Sequence, residues 1–194
     1  MKWLLELITA LLKARAPEAA PVVVSVPDDD PPRGPPDNRS AFLDMIAFAE
    51  GTYPGHPLSR DRGYDVIVTG SDGHEIFDDY RAHPFADGRK AKHVKGEIWS
   101  TASGRYQFMR KDYWHYKALL HLPDFGPASQ DAWAMQLIKE RRALADIDAG
   151  HFQIAVAKVS NLWASLPGAN YPGQKMRQMS ALEDLYERAG GKFA

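Results

Sequence analysis

The chain has 194 residues, of which 44% are hydrophobic and 25% are charged, a composition typical of a soluble globular protein with one domain of ordinary size. The 24 Lys and Arg residues against 25 Asp and Glu residues leave a formal net charge of −1, so we expect no nucleic-acid partner. Cysteine is absent, which excludes thiol nucleophiles, disulfides and thiolate metal sites. The 7 histidines show no spacing that would place two ligands on one helix face, so no metal site is expected.

An apolar segment near the start of the chain, residues 3–12 (WLLELITALL), is shorter than the roughly 20 apolar residues that a membrane-spanning helix needs. Its helical pattern fits an amphipathic helix that lies on a membrane surface or docks on a protein. The small-residue sequence at 14–16 (ARA) also fits the cleavage site of a secretory signal. We interpret residues 1–16 as a tether or signal-like segment that directs the chain to the inner membrane, and both alternatives stay open.

Residues 17–39 are predicted to form a disordered linker. They carry half of the 14 prolines in the chain and an acidic run at residues 28–30, a composition that favours extended conformations and cannot pack a core. Residues 40–194 then read as one domain, mostly helical with one β-hairpin. The predicted fold class is α+β, with helices around a small antiparallel sheet.

The first predicted element of this domain is a helix at residues 40–50 (SAFLDMIAFAE). Its apolar residues recur at the spacing of one helix face, at positions 42, 45, 46 and 49. Glu50 follows Ile46 by one turn, at the edge of that face, and Gly51 comes directly after it. We therefore expect Glu50 to lie between the core and a cleft.

The next predicted element is a hairpin, because β-branched residues at 64–68 (YDVIV) are followed by a turn at 71–73 (SDG) and by residues 74–77 (HEIF). Apolar periodicity and stop signals then predict four helices. They cover residues 112–120, 129–148, 152–163 and 176–189, and glycines at 150 and 190 follow the second and the last.

Glu50 is the candidate catalytic acid. A helix C-terminus carries partial negative charge, and apolar neighbours desolvate a carboxylate, so both effects favour the protonated form. A glycosidase-type general acid needs this bias. The alternative is a solvated glutamate that merely ends a helix, as most surface carboxylates do no chemistry.

Two loops have the residue types that recognise sugars, which stack on aromatic rings and form hydrogen bonds through hydroxyl and amide groups. They are residues 99–107 (WSTASGRYQ) and 160–171 (SNLWASLPGANY). Together with Glu50 they indicate a polysaccharide cleft.

Four blocks in chain order resemble the bacteriophage lambda lysozyme family of phage lytic transglycosylases: FLDMIAFAEGT (42–52), GYDVIV (63–68), SGRYQ (103–107) and the 160–171 loop. The resemblance runs from about residue 39 to residue 191 and implies a lysozyme-like α+β fold. It also implies cleavage of the β-1,4 bond between N-acetylmuramic acid and N-acetylglucosamine in peptidoglycan, with 1,6-anhydromuramic ends and no cofactor. The implied setting is a monomer made in the host cytoplasm that acts on periplasmic peptidoglycan and causes lysis; the export route, holin or signal-like N-terminus, stays open.

By the same resemblance Glu50 is the sole catalytic acid and base. The substrate-binding candidates on the matching motifs are Asp65, Ser103, Tyr106, Gln107, Asn161 and Tyr171. Some have a plain structural alternative: Tyr106 as a core aromatic, Gln107 as a buttress of the Glu50 helix, and Asn161 as a brace of the Tyr171 loop.

Two other functions stay open at this point. A hydrolytic lysozyme would use Asp65 or Asp61 as a second carboxylate. A peptidoglycan-binding or virion structural module would keep the cleft without turnover. Residues 81–98 form a longer stretch than the corresponding part of the family. How far the substrate extends along this edge of the cleft therefore stays open.

Overall fold

The computed structural model describes residues 37–169, 171 and 175–194, so the predictions for residues 1–16 and for most of the 17–39 linker lie outside the described residues. The described part of the chain contains six helices and two separate two-stranded antiparallel sheets. In chain order these are α1 (Asn38–Glu50), β1 (Val66–Gly70), β2 (Gly73–Ile76), β3 (Lys92–Lys95), β4 (Ile98–Ser100), α2 (Arg110–Leu119), α3 (Pro127–Glu140), α4 (Leu144–Asp148), α5 (Phe152–Val159) and α6 (Met179–Arg188).

Helix α1 begins at Asn38, two residues before the predicted start, because the Asp37 side chain caps it by accepting a hydrogen bond from the Ser40 N–H at 2.6 Å. Asn38 also donates to the Ile147 carbonyl oxygen at 2.9 Å, which ties the helix start to α4. The end of the predicted linker is thus part of the folded domain. At the other end Gly51 adopts a left-handed conformation with φ of 73° and terminates the helix directly after Glu50.

The predicted hairpin is present as β1 and β2, with Val66 opposite Ile76. The prediction of a single β-hairpin is wrong, since β3 and β4 form a second one with Lys92 opposite Ser100. Its short strands lack a clear alternation of apolar and polar residues, so local sequence does not reveal it. Contacts with the first hairpin hold it: the Lys92 ammonium lies 3.0 Å from carboxylate oxygens of both Asp72 and Glu75.

The predicted helix 129–148 is divided in two. Helix α3 starts at Pro127 and ends at Glu140, and Arg142 has a positive φ of 56° before α4 begins. A residue in this conformation interrupts the helical hydrogen-bond ladder, although the apolar period continues across it. The other helices differ from their predicted ends by a few residues, and α5 already ends at Val159.

The hydrophobic core surrounds α1 and carries it beneath the cleft. Phe42, Met45 and Ile46 are fully buried in it. Trp133 of α3 stacks on Phe108 with ring centroids 4.0 Å apart. With most of its side chains buried, α1 cannot shift without disturbing the core, so its last residue is held in place. No helix among residues 37–169, 171 and 175–194 is both long and apolar enough to cross a bilayer.

Candidate active site

A cleft of about 930 Å³ opens in front of the C-terminal end of α1. Its volume is at the upper end of the range for ligand sites. Glu50, Thr52, both hairpins, the start of α2 and the 160–171 loop contribute to its lining. Among the lining residues are Val94, Trp99, Gln107, Asp112, Asn161, Ser165, Tyr171 and Lys175.

Glu50 is half-buried at the floor of this cleft and accepts a hydrogen bond from the Ser165 hydroxyl at 2.5 Å. Burial raises the pKa of Glu50 from 4.5 to about 7, because removal of water penalises the charged form. The Ser165 hydrogen bond and the positive charge of Arg177 act in the opposite direction on this pKa. Near neutral pH the carboxyl therefore exchanges readily between its two protonation states, as a proton donor and acceptor must.

Ser165 and Arg177 hold the end of α1, and no local sequence pattern indicates either role. The Arg177 guanidinium donates to the carbonyl oxygens of Phe48 at 3.2 Å and Ala49 at 3.4 Å, both in the last turn of the helix. Its backbone N–H donates to the Ser165 carbonyl oxygen at 2.8 Å. Ser165 lies within the 160–171 block, yet only the folded chain reveals which hydroxyl in that block meets Glu50.

The SGRYQ block supports the site from below. The Arg105 side chain is fully buried, contacts the Asp44 carboxylate and lies over the rings of Tyr53 and Tyr64 at 4.6 Å and 5.0 Å. The hydroxyl of Thr52, which lines the cleft, donates to the backbone carbonyl oxygen of Arg105 at 2.6 Å. Arg105 therefore connects α1, the segment before β1 and the loop after Glu50.

Gly104 shows why the SGRYQ block needs a glycine at its second position. A Cβ atom at Gly104 would lie 2.2 Å from Oε1 of Gln130, and that oxygen accepts the Arg105 N–H at 2.8 Å. The Gln130 amide in turn donates to the carbonyl oxygen of Tyr64 at 3.0 Å. The glycine is needed for this close approach, which locks the block onto the first hairpin.

Three of the predicted substrate-binding residues line the cleft, Gln107, Asn161 and Tyr171, and Tyr106 lies behind its surface. The Gln107 side chain donates to the Gly104 carbonyl oxygen at 3.0 Å. The Tyr171 hydroxyl donates to the Asn161 carbonyl oxygen at 2.9 Å, and the Tyr171 side chain is 46% exposed. Asn161 thus braces the Tyr171 loop through its backbone, while its side chain accepts from Arg141 at 3.1 Å.

Tyr106 has no exposed surface, and its hydroxyl donates to Asp131 at 2.5 Å, so its side chain is a core aromatic. Its carbonyl oxygen accepts the Trp163 indole N–H at 3.0 Å, which fastens the 160–171 loop. Ser103 is equally buried and pairs with the backbone of Phe108. For both residues, direct contact with substrate through the side chain stays a prediction that this burial does not favour.

The two aspartates considered as second carboxylates have other partners. Asp65 is 3% exposed and accepts from the Ser59 hydroxyl at 2.5 Å and the Arg60 N–H at 2.8 Å, which braces the loop before β1. Asp61 accepts from the Tyr80 hydroxyl at 2.7 Å. Neither lines the cleft, where Glu50 and Asp112 are the acidic residues among those described.

The longer stretch at residues 81–98 supplies part of one wall. Its second half forms most of the β3–β4 hairpin, from which Val94, Ile98 and Trp99 line the cleft. Its first half is anchored by His83, buried and bonded to the Phe108 carbonyl oxygen at 3.0 Å. Within the described part of the chain, no three His, Asp or Glu side chains form a group that could hold a metal ion.

The chain is similar to bacteriophage proteins along nearly the whole of this domain. Residues 40–193 match the Endolysin family model. The endolysin of Escherichia phage P2 is 55% identical over 157 residues, which cover 79% of this chain and 93% of that protein. The endolysin of Escherichia phage lambda is 46% identical over 153 residues, which cover 79% and 91% of the two proteins.

Solved structures give the same result for the fold. A structure of bacteriophage lambda lysozyme complexed with a chitohexasaccharide aligns with a TM-score of 0.74 at 45% identity and covers 81% of this chain and 96% of that chain. A second structure, lysozyme from bacteriophage lambda, aligns with a TM-score of 0.70 at 44% identity over the same shares. The lysozyme-like α+β fold predicted from the sequence is confirmed.

Proposed function

The chain belongs to the endolysin family and is a peptidoglycan-cleaving enzyme, and we propose that it is a lytic transglycosylase that forms 1,6-anhydromuramic ends. The observation that carries the proposal is the cleft carboxyl of Glu50, whose pKa is raised to about 7 and whose hydrogen-bond partner is the Ser165 hydroxyl rather than a second carboxyl group. Such a group is suited to give up a proton and to take one back.

In the proposed reaction the protonated Glu50 carboxyl donates its proton to the glycosidic oxygen, and the bond between this oxygen and the anomeric carbon breaks. The acetamido group of the muramic residue stabilises the resulting cation. The C6 hydroxyl of that residue then attacks the anomeric carbon, and the Glu50 carboxylate accepts the hydroxyl proton. Both protons are accounted for, and no water or second carboxylate takes part.

A hydrolase of the usual kinds needs a second carboxyl, roughly 5 to 5.5 Å from the first in retaining enzymes and 6.5 to 9.5 Å in inverting ones. Asp65 and Asp61 do not suit this role, since each is bonded to other groups away from the cleft lining. Asp112 lines the cleft, but its carboxylate lies 3.0 Å from the Lys111 ammonium. These contacts favour the transglycosylase over the hydrolytic lysozyme.

Proton transfer by Glu50 is expected to contribute about 10² to 10⁴-fold to the rate. The rest of the acceleration must come from positioning of the glycan and from the electrostatics of the cleft. The glycan strands enter along the cleft, and the lambda lysozyme structure complexed with a chitohexasaccharide supports this choice of ligand. The predicted part of residues 1–16 in bringing the enzyme to the inner membrane stays a prediction.

Mass spectrometry of the products released from purified murein tests the proposal. Muropeptides that end in 1,6-anhydromuramic acid are the expected product. Reducing muramic ends would contradict the transglycosylase and support the hydrolase, while an absence of released products would contradict catalysis and support a binding module. Family membership already places the chain among the enzymes.

A further inference from the structure

One wall of the cleft exposes large apolar side chains that the proposed chemistry at Glu50 does not use. Trp99 of β4 is 61% exposed and its neighbour Ile98 is 56% exposed, and both line the cleft. A contiguous apolar patch at the rim of a binding cleft marks a position that a ligand can cover. The planar face of an indole is also the surface on which a sugar ring stacks.

The Trp99 ring is held in place before any ligand arrives. His93 is its cross-strand partner, and the centroids of the two rings lie 5.0 Å apart. Both ring nitrogens of His93 are engaged, one with the Ser71 hydroxyl at 2.8 Å and the other with the Gly96 carbonyl oxygen at 2.7 Å. Since the histidine is fixed from two sides, it forms a rigid backing that limits the motion of the indole and lowers the entropy cost of binding.

The hairpin that carries Trp99 is itself fixed. The buried Lys92 ammonium pairs with Asp72 and Glu75 of the first hairpin, and the Ser71 N–H donates to the His93 carbonyl oxygen at 2.8 Å. On the other side, the Arg110 N–H donates to the Thr101 hydroxyl at 3.1 Å and joins β4 to α2. The strand that carries Trp99 is therefore anchored to both the first hairpin and α2.

We propose that Trp99, backed by His93, is a sugar-stacking platform that holds the glycan strand at the hairpin end of the cleft, away from the Ser165 side of Glu50. The inference rests on the proposed function, because it takes peptidoglycan glycan as the ligand. The same cleft holds the polar groups that a sugar needs beside an aromatic face: the first turn of α2 places Lys111 and Asp112 in its lining. A strand that spans the cleft would contact Trp99 and Glu50 at once.

The test uses the full chain with Glu50→Gln as the parent, so that glycan is bound but not cleaved. The Kd for chitohexaose and for peptide-free murein glycan strands is measured by calorimetry in this parent and in three derivatives: Trp99→Ala, Trp99→Phe and Trp114→Ala. Trp114 is the matched control, because it is an equally large side chain with 57% exposure that does not line the cleft.

Trp99→Ala should raise the Kd about tenfold, since the stacking face is lost. Trp99→Phe should recover part of the affinity, and Trp114→Ala should leave the Kd unchanged. In the cleavage-competent chain, Trp99→Ala should raise KM with little change in kcat, which a defect at Glu50 would not do. Equal effects of Trp99→Ala and Trp114→Ala, or no effect of Trp99→Ala on glycan affinity, would overturn the proposal.

A membrane is the other ligand that an exposed tryptophan can meet. Sedimentation with vesicles of phosphatidylethanolamine and phosphatidylglycerol distinguishes it: Trp99-dependent vesicle binding with unchanged glycan affinity would overturn the stacking platform. Failure of the parent to bind glycan while the unmodified chain still cleaves murein would also overturn it. Failure of both binding and cleavage would instead contradict the proposed function itself.

Discussion

Two carboxylates removed from bulk water, Glu50 at the end of α1 and Asp65 at the start of the first hairpin, behave differently because of their neighbours. Asp65 is enclosed and accepts hydrogen bonds from a hydroxyl and a backbone N–H, and these bonds hold the preceding loop in place. Glu50 opens onto a cleft and accepts a single hydrogen bond, from Ser165. At Asp65, burial with two donors makes a structural brace, whereas at Glu50 burial with one donor beside an opening makes an acid.

The largest expected effect separates the two sites by activity. Glu50→Gln keeps the shape of the side chain but removes its proton chemistry, so murein cleavage should fall at least about 10²-fold while the circular dichroism spectrum is unchanged. Asp61→Asn is the control, because this carboxylate accepts from Tyr80 and does not line the cleft. A Glu50→Gln variant with more than about a tenth of the normal rate would contradict the assignment.

The same substitution should stabilise the fold at alkaline pH. Since the folded state raises the pKa of Glu50 to about 7 from an ordinary value of 4.5, it binds this proton more tightly than the unfolded chain does. That contribution is complete below pH 4.5 and is lost as the pH rises through about 7. Glu50→Gln avoids the loss, so at pH 8.5 its free energy of unfolding should exceed that of the parent by about 2 to 3 kcal/mol.

Urea unfolding of both chains at pH 4 and pH 8.5 measures this difference, which should nearly vanish at the lower pH. Glu187→Gln serves as the control because Glu187 is an exposed glutamate on α6. If Glu50→Gln were no more stable than the parent at pH 8.5, the desolvated carboxyl would be ruled out as a source of strain.

A substitution at Asp65 should do the reverse of Glu50→Gln, with a loss of stability and little change in activity. Asp65→Ala leaves the Ser59 hydroxyl and the Arg60 N–H without their acceptor, so the free energy of unfolding should fall by about 2 kcal/mol. Cleavage by the fraction that remains folded should stay within about threefold of the parent, a change of less than about 1 kcal/mol in the barrier. Thermal unfolding and murein assays below the melting temperature measure both; a rate loss as large as that of Glu50→Gln would reinstate Asp65 as a second carboxylate.

The features that local sequence encodes could be predicted. Helix α1, the position of Glu50 at its end and the first hairpin all follow from short periodic patterns with glycine stop signals. The β3–β4 hairpin could not be predicted, because Lys92 and its partners, rather than strand propensity, hold it in place. The contacts of Ser165 and Arg177 with the α1 end join residues more than a hundred positions apart, which no local pattern records.

The smallest expected effect concerns Ser165. Removal of its hydroxyl takes away the hydrogen-bond donor at Glu50 and so tests the comparison of Glu50 with Asp65 directly. The Ser165 hydrogen bond favours the charged carboxylate and so keeps the pKa of Glu50 from rising higher. Without it the protonated acid should persist to higher pH, and the alkaline limb of the kcat/KM profile for Ser165→Ala should move up by about one pH unit. A purely structural role would lower the rate at every pH without moving the limb.

Ser160→Ala is the matched control, since the Ser160 hydroxyl donates to the Ala157 carbonyl oxygen at 3.0 Å and takes no part in the cleft lining. It should leave the limb in place. Ser165→Thr retains a hydroxyl and should restore the profile if the donor, rather than the shape of the loop, sets the pKa. If the alkaline limb of Ser165→Ala did not shift, burial and Arg177 alone would set the pKa of Glu50. The number of hydrogen-bond donors would then not explain why Glu50 is an acid and Asp65 a structural brace.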